Sequence, residues 1–322
     1  MTILRFDLRL PDFATVNRTD QYHACLEMCR WADRIGFTST VVSEHHGTPD
    51  GYLPAPLTLA TAIAAVTTKI PITISAMLLP MHDPLRLAEQ IVVADHIARG
   101  RIILILGTGY RQEEFDMMGM KFSERLQVLE HHVLALKQLF TGEYVDIDGK
   151  KMRVTPTPHT PGGPMMMLGG SGESAARLAA RLRIGFAAAD SNPIIADWYN
   201  DECAKVGFEG GYVVVPERLG FIHVSEDPER DWAVIGRHAL WDAQSYAAWQ
   251  RPRQSSAVTV RGAMTIEDIR ASGVYRVLTI DEAIDFAKAG RLVLHPLMGG
   301  LPPEFSWQSL ERVEKYVMPA LG

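Results

Sequence analysis

"ITISAMLLPMHDPLRLAEQIVVADHIARGRIILILGTGY", residues 72–110, holds two short apolar runs with one helical pattern between them. "IPITISAMLL" (70–79) reads as a strand. Asp83-Pro84 then marks a helix start, because Asp can cap free amides and Pro sits where its missing N–H costs nothing. The helix runs to about Arg99, stops at Gly100, and "RIILILG" (101–107) is the next strand. A strand, a helix and a second strand in that order form the repeating unit of a parallel sheet.

The same rhythm extends in both directions. Upstream, "ILRFDLRL" (3–10) is a first strand. A helix follows, opening at Thr19 or Asp20 and closing at Gly36. "TSTVVS" (38–43) is a second strand, and the almost wholly apolar 54–67 is a helix. Downstream, a helical stretch near 123–140 precedes "GEYVDIDGKKMRV", where Asp148-Gly149 suggests a hairpin turn. "GPMMMLGG", "IGFAAA", the region around "GFIHVS" and "RLVLHPLMGG" supply further strands, each followed by a helical pattern. About eight βα units in one chain predict an α/β protein, a (β/α)₈ TIM barrel with insertions, as a single domain over residues 1–322. A doubly wound sheet also fits the alternation, but no early Gly-rich fingerprint marks a dinucleotide half. Residues 250–269 break the rhythm and read as a surface loop or lid.

Composition narrows the function classes. The 322 residues are 47% hydrophobic, enough for a large core, and the net charge of −6 comes with no basic block. Nucleic acid and anionic membranes are therefore not expected partners. No apolar run reaches the ~18 residues of a membrane span, and "MTILRFDLRL" lacks the features of a signal peptide. The expectation is a soluble cytoplasmic protein. The three cysteines form no disulfide framework, and Cys25 and Cys29, four apart on a helix, read as core residues.

In a barrel the C-terminal strand ends carry the chemistry. "VVSEHHG" (41–47) delivers Glu44, His45 and His46 at such an end. Neighbours on extended backbone point to opposite sides, so two adjacent His do not easily reach one ion. A metal-dependent hydrolase lacks ligands, and no metal is expected. "LGGSGESAARLAARL" (168–182) puts Gly169, Gly170 and Gly172 before a helix whose first amides favour an anion, with Ser171 and Ser174 offering hydroxyls. Glu173 opposes a phosphate there. "LILGTGYRQEEF" (104–115) places Gly107 and Gly109 where backbone can approach a flat ligand, with Thr108 and Arg111 as donors.

Taken together, "SEHH", the block 75–120, "MMMLGGSGESAARLAARL" and the closing "LVLHPLMGGLPPEFSWQSLERVEKYVMPAL" resemble the bacterial luciferase superfamily of flavin-dependent barrels over almost the whole chain. The resemblance implies a cofactor at the barrel mouth, with a cis peptide at Ser75-Ala76 beneath its ring and His45 as acid or base, Glu44 beside it. It also implies that Gly107, Thr108, Tyr110 and Gly169 belong to the cofactor site and that Gly170, Ser171, Gly172 and Ser174 hold its phosphate. Many members carry Arg where this chain has Thr108, and Arg111 is the candidate substitute. The implied activity is a monooxygenase using reduced FMN from a separate flavin reductase, together with O₂, on a small organic substrate. An apolar mouth of Met77, Leu79 and Leu106 is expected to exclude water. The alternative is a hydride-transfer enzyme using the deazaflavin coenzyme F420; a flavin-binding protein without catalysis is a third reading. Association as a homodimer or higher homo-oligomer is implied, with helix 54–67 as a candidate interface although most of its surface is expected against its own barrel.

Overall fold

A computed structural model describes residues 1–218, 220–250 and 256–321. Strands are β1 (Thr2–Phe6), β2 (Ser39–Val42), β3 (Ile72–Leu78), β4 (Ile102–Gly107), β5 (Val145–Ile147), β6 (Lys150–Met152), β7 (Met165–Gly170), β8 (Gly185–Ala188), β9 (Val213–Val214), β10 (Phe221–Val224), β11 (Tyr275–Leu278) and β12 (Leu292–Leu294). Helices are α1 (Arg18–Ile35), α2 (Pro56–Val66), α3 (Pro84–Ala98), α4 (Gln112–Met117), α5 (Arg125–Leu139), α6 (Glu173–Arg181), α7 (Ile194–Val206), α8 (Pro228–Trp249), α9 (Ile266–Ser272), α10 (Ile280–Lys288) and α11 (Pro303–Arg312).

Local chemistry accounts for many of these boundaries. Asp83 caps α3, accepting from the Arg86 N–H, with Pro84 in the first turn. The cap of α1 is Asn17, accepting from Thr19 N–H, so the helix begins before the expected Thr19 or Asp20. Asp148 (φ 54°) and Gly149 (φ 73°) both turn left-handed, the geometry that joins the antiparallel pair β5 and β6 most tightly.

Ten strands form one parallel sheet in the order β11-β10-β12-β1-β2-β3-β4-β7-β8-β9. From β1 to β8 each main strand lies beside its predecessor, as a (β/α)₈ barrel winds. The last quarter departs from simple succession, because β10 lies between β11 and β12. The resulting α/β architecture is that of a TIM barrel, with the β5–β6 hairpin inserted after the fourth strand.

Burial alternates along the wall with the period of two that a strand imposes. Leu4 and Phe6 of β1 are wholly buried in the core shared with Cys25, Met28 and Cys29 of α1, whereas Ile3 and Arg5 keep partial exposure. The same alternation appears in β2, β4 and β8. A second cluster joins Phe221 and Tyr275 to Trp232 and Ile235 of α8.

Two segments singled out by the sequence bury part of their residues. Helix α2 buries Leu57, Leu59, Ala60 and Ile63 in its own barrel, with Thr58 and Ala65 exposed. Within the expected loop 250–269, residues 251–255 lie outside those described. Beyond them Ala257, Thr259, Val260 and Ala263 are buried, and the Ala257 N–H bonds to the Ala189 carbonyl at 2.8 Å, beside the end of β8. No helix among the described residues is long and apolar enough to cross a membrane.

Candidate active site

The turn after β2 separates its three titratable residues into two networks, as alternation requires. Glu44 is buried. Its Oε1 accepts from His46 Nε2 (2.9 Å) and His82 Nε2 (2.8 Å), and its Oε2 accepts from the Leu78 N–H (2.6 Å) at the end of β3. Burial alone would raise this carboxyl. The hydrogen bonds from the two imidazoles and the Leu78 amide outweigh burial and bring it down to about 2. Glu44 is thus a fixed anion that ties β2 to β3.

His45 faces the other way. Its Nδ1 lies 2.8 Å from Glu114 Oε1, and its Nε2 lies 3.0 Å from the Tyr110 hydroxyl. Burial holds His45 below the ordinary histidine value despite Glu114, so the ring is neutral near pH 7. A neutral ring beside a carboxylate carries its proton on Nδ1 and donates it to Glu114. Nε2 then accepts from Tyr110, whose phenol burial holds well above its usual range. Glu114 also accepts from the His46 N–H (2.8 Å) and from Arg111 (3.2 Å). Those contacts and His45 overcome burial and keep its carboxyl below the ordinary value. The result is an ordered chain, Tyr110 to His45 to Glu114, in which a proton can be held or passed at Nε2.

Arg111 does not reach toward a phosphate. It is buried, donates to Glu114 and the His46 carbonyl (3.0 Å), and lies 4.7 Å from the Trp249 ring centroid. An acidic partner three residues along its own helix claims it. Met77, Leu79 and Leu106 are wholly buried and offer the mouth no exposed surface. The mouth is aromatic instead: Tyr52, Tyr110 and Trp249 surround His45 with ring centroids 4.8, 5.2 and 5.1 Å away.

The peptide Ser75-Ala76 is cis. Ala76 sits among glycines from neighbouring strands. A Cβ on Gly107 would stand 2.9 Å from that of Ala76, and one on Gly169 would meet Ile105 at 3.1 Å with Ala76 at 4.0 Å. The missing side chains of Gly107 and Gly169 make room for the Ala76 methyl and Ile105, so these strand ends pack closely and present small residues to a flat ring. Thr108 and Tyr110 follow directly from Gly107.

At the β7–α6 turn, Gly170, Ser171, Gly172 and Ser174 lead into α6. No side chain caps this helix, and around Gly172 a Cβ would meet nothing within 4 Å. The N–H groups of Glu173 and Ser174 have no intrahelical acceptor. Glu173 does not obstruct the turn, because Arg177 draws its carboxylate back along the helix at 2.6 Å. The donors and the open space suit a phosphate. No cluster of three or more metal-ligating side chains is found among the described residues.

Sequence reasoning missed Glu114, Tyr52 and Trp249, which reach His45 across 69, 7 and 204 residues. Glu114 had one available signal, an acidic residue in the turn after a glycine-rich strand end.

Comparison with known proteins bears on this arrangement. The sequence matches the family described as luciferase-like monooxygenase over residues 5–286. The alkanal monooxygenase beta chain of Photorhabdus laumondii is 24% identical over 199 residues, 60% of this chain and 59% of that one. Limonene 1,2-monooxygenase of Rhodococcus erythropolis is 29% identical over 123 residues, 38% and 32% of the two chains. The matches thus span less than two thirds of these curated relatives. Among solved structures, the monooxygenase RslO1 from Streptomyces bottropensis superposes with a TM-score of 0.79 at 20% identity over all of both chains. The oxygenating constituent of 3,6-diketocamphane monooxygenase from Pseudomonas putida, in complex with FMN, gives 0.69 at 18% over 99% and 98%. An F420-dependent secondary alcohol dehydrogenase with an F420-acetone adduct gives 0.68 at 16% over 100% and 99%. At these identities the structural likenesses establish the fold.

Proposed function

The chain belongs to the luciferase-like monooxygenase family, and from that membership and the mouth geometry we propose a monooxygenase that uses reduced FMN and O₂ to oxidise a small organic substrate. The observation that carries this reading is the buried Tyr110–His45–Glu114 chain, which stands one strand away from the small-residue strand ends at Ala76 and Gly107. Ser75, Ala76, Gly107 and Gly169 would hold the ring, with Thr108 and Tyr110 along its edge. Gly170, Ser171, Gly172, Ser174 and the first amides of α6 would hold the phosphate. Reduced flavin supplies the electrons that activate O₂. His45 accepts or returns a proton at Nε2, Tyr110 carries that proton to the ring side, and Glu114 keeps the imidazole in the required tautomer. Glu44 is a positioning residue that anchors His46 and the end of β3. The aromatic wall of Tyr52 and Trp249 excludes water from the reacting centre.

F420-dependent hydride transfer is the second reading. Its specific support is Thr108, which stands where many members of the family carry arginine, together with the engagement of Arg111 by Glu114. A separate reductase would supply reduced FMN under the first reading. A homodimer would use Val93 and Ile97, exposed on α3 beside the uncovered strip of α2.

The test is a fluorescence titration with FMN and with F420, each oxidised and reduced. Selective binding of reduced FMN is expected; selective binding of F420 moves the assignment to hydride transfer, and binding of neither overturns both. Replacing His45 with Ala should change cofactor affinity by less than about 3-fold yet lower turnover by roughly 10²-fold or more. Unchanged turnover would remove His45 from the reaction.

A further inference from the structure

Arginines 5, 9 and 111 converge on the barrel mouth, and their partners differ in kind. Arg9, wholly buried, is ion-paired to Asp50 (2.7 Å) and Asp242 (3.0 Å) and stacked near Trp241 and Trp249. Arg111 is paired to Glu114. Arg5 donates one hydrogen bond, from Nη2 to the Tyr246 hydroxyl at 3.3 Å, and no carboxylate among the described residues stands within ion-pair distance of it.

The nearby acids take their hydrogen bonds from other groups. Asp7 accepts from the Tyr246 hydroxyl (3.3 Å), with His295 Nε2 3.3 Å away, and Asp242 accepts from Arg9 and the Tyr275 hydroxyl (2.7 Å), so both bear on Arg5 through their charge alone. Most of the five N–H donors of Arg5 therefore remain available on a side chain that keeps part of its surface open.

Position says what such donors face. Arg5 lies on β1, flanked on both sides by β2 and β12, on the opposite face from the helix-packed Leu4 and Phe6. A side chain there that retains exposed surface exposes it to the barrel interior. Val41, paired in register with Arg5, is likewise partly exposed, as are Ile3, Ile103 and Ile105 on the same lining. Polar company comes from Ser39 and Thr73, whose hydroxyls lie 3.1 Å apart on adjacent strands. The interior thus combines an apolar wall with one guanidinium and two hydroxyls. The Tyr246 hydroxyl links Arg5 to Tyr52 (2.9 Å), whose ring packs edge-on to His45.

We propose that Arg5 is the specificity-determining residue of the substrate pocket, and that the substrate is a carboxylic acid with an apolar body. Its carboxylate bonds to Arg5 inside the barrel, and its oxidisable end lies toward His45. This assignment of substrate class rests on the proposed reading of the mouth as a cofactor site. A planar guanidinium with adjacent donors free matches a carboxylate in two-point geometry, and an apolar lining gives the remainder of the molecule a dry wall.

The experiment measures quenching of tryptophan fluorescence, to which Trp241 and Trp249 contribute at the mouth. The probes are straight-chain carboxylates from butanoate to decanoate and benzoate, each paired with its neutral amide. The full-length protein is expected to bind at least one carboxylate saturably and about ten-fold or more tighter than its amide. Arg5→Lys should keep a reduced preference, and Arg5→Met should bring each acid and amide within about 2-fold. Equal binding of acids and amides by the unaltered protein, no saturable binding of any acid, or a preference retained in Arg5→Met would each overturn the proposal. If Arg5→Met does not fold, the acid-to-amide ratio of the unaltered protein and of Arg5→Lys decides. Separate titrations with FMN and F420 keep the two readings apart. Loss of cofactor binding with a retained carboxylate preference removes the cofactor site and leaves Arg5 an anion site; the converse removes only the substrate class.

Discussion

The end of β2 and the turn between β7 and α6 face the same barrel mouth but are built on opposite principles. At the first, Glu44 and Glu114 are buried and meet three imidazoles, two backbone amides and one guanidinium. At the second, glycines and serines surround uncapped amides, with open space at Gly172. The difference teaches that a group whose proton must be controlled is held in a closed network, whereas an anion that comes and goes needs donors left unmet.

Glu44→Ala tests the closed region and should give the largest effect. Removal strands two imidazoles and the Leu78 amide in a buried setting, for a loss of roughly 3–5 kcal/mol in urea unfolding. The acid limb of the stability curve should change with it. In the intact protein the Glu44 carboxyl is held near 2 against an ordinary 4.5, so its contribution is present above 4.5 and lost as pH falls through 4.5 toward about 2, on the order of 3 kcal/mol. His45, held below the ordinary histidine value, acts in the same direction beginning nearer pH 6.5. His46, raised by Glu44 against the pull of burial, contributes below pH 6.5 and loses that contribution as pH rises through its own higher value. A variant whose acid limb matches that of the unaltered protein would mean that Glu44 is not the anchor described.

A second contrast uses two glycines. Gly107→Ala places a methyl 2.9 Å from the Ala76 Cβ and should destabilise by about 1–3 kcal/mol. Gly172→Ala meets nothing and should stay within about 0.5 kcal/mol, as thermal melts of the pair would reveal. Equal effects would erase the distinction between strand end and turn. The smallest expected change in the fold comes from Ser174→Ala, which should leave the melt unmoved while weakening cofactor binding by roughly ten-fold. Unaltered affinity would take the phosphate away from this turn.

Much of the architecture was legible because its signals are local. Asp83-Pro84 capped α3 as read, and Asp148-Gly149 made the β5–β6 hairpin. The divergence of Glu44 from His45 followed from strand alternation alone. What escaped depends on residues brought together from afar. Arg111 reads as a phosphate donor in the sequence because the His46 carbonyl and the Trp249 ring that engage it come from distant segments, and the order of β10, β11 and β12 is likewise set by pairings between distant segments. Met77, Leu79 and Leu106 are apolar whether covered or open, so composition did not reveal that they are wholly buried. The aromatic collar had no local signature, since Tyr52 and Trp249 lie on opposite sides of most of the chain.

Helix α8 contributes Trp241, Asp242, Tyr246 and Trp249 to the mouth. At about 100° per residue these four fall on one side of a single cylinder. The wall over His45 is therefore inherited as a unit. A lineage that exchanges or re-spaces this one segment retunes the whole collar while the strand-end machinery stays in place. Conversely, a one-residue deletion within the helix before Trp241 rotates every one of those groups away together, so divergence here is expected to proceed by substitution at fixed length.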